Sequence, residues 1–98
     1  MNEKEAYQQK IEARIAEWNA EMDKLRAQAK RLEAEGRIEA ESRLQDLTIK
    51  KEAAEAKLAE LRNAGGDAWQ ELKSGIDRAV RELDESVKRA ASKFSSGR

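Results

Sequence analysis

Ninety-eight residues fill one domain at most, and charged residues make up 41 % of them, with four aromatics and no proline. A chain dominated by Ala, Glu, Lys, Leu and Arg at helical spacing reads as all-α, of long-helix or coiled-coil type. Twenty basic side chains cancel twenty acidic ones, so no general attraction to nucleic acid or anionic surfaces is implied. Cysteine and histidine are absent, which removes disulfides, thiolate chemistry, the commonest general base and the soft metal ligands.

Asn2 followed by Glu5 resembles a capping box, placing a helix start near Glu3. Apolar residues then alternate at spacings of four and three: Ile11, Ile15, Trp18, Met22, Leu25, Ala29 and Leu32. Heptad labels put Ile11, Trp18, Leu25 and Leu32 at d and Ile15, Met22 and Ala29 at a, a narrow seam with charged flanks. The seam reads as the oligomer contact, carried by Ile11, Ile15, Trp18, Met22, Leu25 and Leu32. Trp18 reads as core, with its indole N–H at the edge, rather than as a stacking platform for a ligand or base.

Around Glu35-Gly36-Arg37 the pattern weakens. It resumes one residue out of register at Ala40, Leu44, Leu47, Ala54, Leu58 and Leu61, with Lys51 at an a position. A continuous helix with a skip in its heptads is the preferred reading over a hairpin turning at Gly36. From Ile11 to Leu61 the stripe averages roughly 3.57 residues per turn, between coiled-coil and straight-helix values. An isolated helical glycine costs only about 1 kcal/mol, and Glu33–Arg37 and Glu39–Arg43 are spaced to pair across the weak point. A second, weaker stripe of Ile38, Ser42, Gln45, Ile49, Ala53 and Ala56 predicts that this stretch touches a further neighbour.

Asn63-Ala64-Gly65-Gly66-Asp67 is the one clear break. Gly65 suits the left-handed helix stop, and Asp67 with Gln70 suits the next start. A second helix is expected from about Ala68 to Phe94, stopped by Ser95-Ser96-Gly97. Trp69, Leu72, Ile76, Val80, Leu83, Val87 and Phe94 form its packing face. Beside them lie the small residues Ala68, Gly75, Ala79, Ser86 and Ala90, which suit close helix contact. The chain therefore divides into a long coiled-coil helix, 1–64, and a Gly-Gly hinge with an amphipathic helix, 65–98; a three-helix bundle is the alternative.

The stretch GDAWQELKSGIDRAVRELDESVKRAASKF, from Gly66 to Phe94, resembles a group of small uncharacterised bacterial coiled-coil proteins. These pair a long charged helix with a GDAWxxLKxGxxxA element and a basic tail ending in Phe. The opening YQQKIEARIAEWNAEMDKLRA is similar to that group too. The resemblance implies a fold and a bacterial source, and carries no activity or site residue. A looser similarity, to apolipoprotein-like and late-embryogenesis-like helices, is compositional.

No catalytic, cofactor or metal site is expected, and no cofactor. Glu17 and Glu21 share a helical face, but a di-iron bundle would add a Glu-x-x-His motif that this chain lacks. Lys88, Arg89, Lys93 and Arg98 make the tail basic. Their spacing suits the helix dipole and the pairs Asp84–Lys88 and Glu85–Arg89 more than phosphate contact. Residues 67–98 hold seven basic and six acidic side chains, a weak basis for electrostatic recruitment to lipid. The sequence thus predicts a non-enzymatic, cytoplasmic structural or interaction protein that self-associates as a homo-oligomer, as scaffold or assembly subunit, with a protein partner open and no nucleic acid expected. Peripheral membrane binding through the C-terminal helix is the second-ranked alternative.

Overall fold

The computed structural model describes residues 2–96, with side chains as far as Phe94. Gly97 and Arg98, read above as part of the helix stop and of the basic tail, lie outside the described residues. The described chain is all-helical. Helices α1 (Glu3–Lys30), α2 (Ala34–Asn63) and α3 (Ala68–Ser96) run up, down and up as a rod measuring 52 × 19 × 16 Å.

The preferred reading of one helix through residue 63 is corrected by this architecture. α1 ends at Lys30, and the turn is Arg31-Leu32-Glu33 rather than Gly36. The Arg31 N–H bonds the Gln28 carbonyl at 3.1 Å and the Leu32 N–H bonds that of Ala29 at 3.1 Å, tightening the last turn. Glu33 is extended, and its carbonyl receives the Arg37 N–H at 2.7 Å to open α2. The register slip between Leu32 and Ala40 is thus the mark of a real break.

Burial decides against the straight helix. Breaking it forfeits a few backbone hydrogen bonds, worth about 1 kcal/mol each. Folding it back buries Ile11, Met22, Leu25, Leu44, Leu47, Leu58 and Leu61 to 7 % exposure or less, at about 1.5–3 kcal/mol for each large aliphatic side chain. Gly36 lies in the first turn of α2 with no left-handed φ. A Cβ there would sit 3.7 Å from Leu32 Cβ, an ordinary contact, so an alanine is compatible with the hairpin.

The α2–α3 connection falls where the Gly-Gly pair predicts it, shifted by one residue. Ala64 is extended, and the left-handed residue is Gly66, φ 57°, rather than Gly65. At the start of the chain the Asn2 side chain accepts the Glu5 N–H at 2.8 Å, as the capping box requires. Lys4 donates its ammonium protons to the carbonyls of Arg62 (3.1 Å) and Ala64 (2.7 Å), so the start of α1 caps the end of α2.

Spin labels on cysteines placed at the exposed positions Glu3 and Asn63 test the turn directly, and no native cysteine interferes. The hairpin gives a separation on the order of 20–30 Å, set by neighbouring helix axes and the label arms. A continuous helix would give about 90 Å.

Candidate functional site

The residues assigned to an oligomer seam line the inside of the bundle. Ile11, Ile15, Trp18, Met22 and Leu25 are all 8 % exposed or less, and Leu32 packs on the core from the turn. The reading of this seam as an oligomer contact belongs with a single helix through residue 63, which has no second half of its own to fold against. With helices of 28, 30 and 29 residues, each stripe is covered along its length by the other two.

The α3 packing face behaves as its spacing predicts. Trp69, Ile76, Leu83, Val87 and Phe94 are buried, with Leu72 and Val80 half-buried against them. Of the small residues beside them, Ser86 and Ala90 are buried, Gly75 and Ala79 are half-buried, and Ala68 is exposed. On α2 all six seam residues, Ala40, Leu44, Leu47, Ala54, Leu58 and Leu61, are buried. Lys51, the charge at an a position, reaches out of the seam to donate to Asn19 Oδ1 on α1 at 2.7 Å.

Two polar clusters join α1 to α3, and sequence reasoning identified neither. Trp18 is 3 % exposed, and its indole N–H donates to Asp84 Oδ1 at 2.7 Å while Arg14 binds the other carboxylate oxygen. Arg14 also stacks 5.9 Å from the centre of the Trp18 ring and holds Glu17 at 3.3 Å. A buried indole is thereby satisfied, as core packing requires, and no ring face is left for a stacked ligand. The sequence spacing pairs Asp84 with Lys88; the parallel run of α1 and α3 supplies Trp18 and Arg14 instead, from far along the sequence.

The second cluster sits nearer the α1 N-terminus. Tyr7 packs on Trp69 with ring centroids 6.1 Å apart, and its hydroxyl donates to Asp77 Oδ1 at 2.5 Å, with the Lys73 carbonyl at 3.3 Å. Burial, then the hydrogen bond to Asp77 and the charge of that carboxylate, pushes the Tyr7 phenol far above its ordinary range.

The second stripe of α2 faces outward. Ile38 is 69 % and Ile49 58 % exposed, the large hydrophobic residues left in water among the described residues, and Ser42, Gln45, Ala53 and Ala56 beside them are exposed too. The further neighbour that this stripe predicts is not found among the described residues, which leave the stripe uncovered. Among the described residues no group of three or more His, Cys, Asp or Glu is placed to hold a metal, and no helix is long and apolar enough to cross a membrane. Comparison with family models, curated proteins and solved structures finds no match.

Two measurements test these clusters. Asp84→Ala strands the indole N–H and should lower unfolding free energy by about 1–3 kcal/mol. Asp84→Asn keeps an acceptor for Trp18 and should cost less; urea titration followed by tryptophan fluorescence reads both. For Tyr7, a raised pKa in the folded state means that the neutral phenol's contribution is complete below its ordinary value of about 10. That contribution is lost as pH rises from there toward the folded value. Above about pH 10 the wild type should lose stability faster than Tyr7→Phe, and equal slopes would refute the link. Tyr7 is the only tyrosine, so the difference isolates it.

Proposed function

We propose that this chain is a non-enzymatic structural or interaction protein, a rigid three-helix rod that self-associates side by side through the outer face of α2. The observation that carries the reading is the exposed pair Ile38 and Ile49, eleven residues apart and so three turns along one line of the helix. Around them Ser42, Gln45, Ala53 and Ala56 are small or uncharged in a chain where 41 % of residues carry charge. A line depleted of charge and carrying aliphatic residues is the composition of a helix–helix contact. A second copy is the natural occupant, since it brings the same weakly polar line.

The patch is narrow, so the association is weak and concentration-dependent. The coiled-coil partnership expected of the α1 seam thus passes to α2. Peripheral lipid binding, the second-ranked alternative, would require α3 to expose Ile76 and Leu83, which lie fully buried in the bundle.

Light scattering across a concentration series tests the proposal. The wild-type mass should rise above the 11.1 kDa of one chain, and Ile38→Glu with Ile49→Glu should return it to that value with an unchanged melting temperature. A mass of one chain at millimolar concentration, or one insensitive to the double substitution, would overturn it.

A further inference from the structure

We propose that the cleft between α2 and α3 is a binding site for a single phosphate group. The cleft has a volume of about 100 Å³ and is floored by the buried Leu47 and Ala90. Arg43 and Lys50 of α2 and Arg89 of α3 line it against one carboxylate, Asp46. With Glu39 paired to Arg43 beside the cleft, a chain of zero net charge keeps a local excess of one positive charge there.

Arg43 has a carboxylate partner in Glu39, whereas the hydrogen bonds inside the cleft give Lys50 and Arg89 a neutral one. Lys50 Nζ and Arg89 Nη2 both donate to Ser86 Oγ, at 2.9 and 3.3 Å. Ser86 is 8 % exposed and neutral, so two cations share one uncharged acceptor. With its lone pairs engaged, the Ser86 hydroxyl keeps its own proton to donate. Arg43 holds Glu39 through Nη2 at 3.3 Å, while its Nε is buried with no acceptor among the described residues.

A tetrahedral oxyanion meets the demands of the exposed Lys50 and Arg89 and of the Ser86 proton at once. It offers acceptors to the guanidinium edges, to the lysine ammonium as a point charge, and to the serine proton. The antiparallel run of α2 and α3 assembles the group, which is why Arg89 reads in the sequence only as a helix-end cation. Asp46, four residues before Lys50, and Glu39, bound to Arg43, are the internal competitors: phosphate binds if it displaces these two carboxylates as the anion nearest the three cations. The small cleft with its apolar floor admits one phosphate group, either free or borne as a phosphomonoester headgroup on lipid.

The test is a titration of the full chain with inorganic phosphate at constant ionic strength against chloride, followed residue by residue in amide NMR spectra. Saturable shifts should concentrate at residues 43–50 and 86–90. Lys50→Gln and Arg89→Gln should each weaken binding about tenfold, with Arg89→Lys retaining part of it and Arg78→Gln, on the exposed side of α3, leaving it unchanged. Co-sedimentation with phosphatidylcholine vesicles carrying phosphatidic acid identifies the source. Pelleting that needs Lys50 and Arg89 assigns the headgroup, and saturable phosphate binding without pelleting assigns the free anion. Shifts that match the chloride control, or that persist in folded Lys50→Gln and Arg89→Gln, with no pelleting dependent on those residues, would overturn the site.

Discussion

A helix whose apolar residues form a stripe one or two side chains wide can touch one partner along a line, and water reaches that line from both sides. Drying it takes a third helix. In this chain the first two stripes are narrow, and the third, on α3, is wide enough to lie across both. The near-equal lengths of the helices follow from that demand, because any overhang would leave part of a stripe wet. Leu25, Leu61, Ile76 and Leu83, all 1 % exposed or less, mark where the three lines meet.

Apolar stripes set which faces meet, but they leave the sliding of one helix along another loosely fixed. Directional bonds do that here. Trp18 with Asp84 and Tyr7 with Asp77 tie α1 to α3 at two heights, and Lys51 with Asn19 ties α1 to α2. Each uses a side chain that is apolar along its body and polar at its tip, so that one end packs while the other finds a single acceptor. Slipping α3 by one turn would remove both carboxylates from their aromatic donors. The cost of an unpaired buried donor then penalises wrong registers that the stripes alone would tolerate.

Much of the core was legible in the sequence, because spacing in fours and threes depends only on helix geometry. All six α2 seam residues and the large α3 residues lie where their period puts them. The first turn was not legible. Arg31, Leu32 and Glu33 adopt ordinary right-handed or extended conformations, so no glycine, proline or asparagine is needed there, and Gly36 drew attention to the wrong place. The slip of one residue in the heptads was the available signal, and it is equally the signature of a skip in a straight helix. The partners of Asp84 were hidden for another reason. A carboxylate four residues before a lysine suggests a local pair, and only the three-dimensional path of the chain brings Trp18 and Arg14 within reach. The same holds for the cations of the α2–α3 cleft, which come from two helices and read singly as surface charges.

The connector between α1 and α2 has a consequence of its own. Its residues could each enter a helix without leaving a left-handed conformation, so nothing in their backbone locks the chain closed. What holds α1 against the rest is the burial of its stripe and its bonds to α3, not the conformation of the connector. The Gly66 corner, with a left-handed φ that glycine adopts freely and other residue types do not, makes the two ends of the same rod unequal in the substitutions they tolerate.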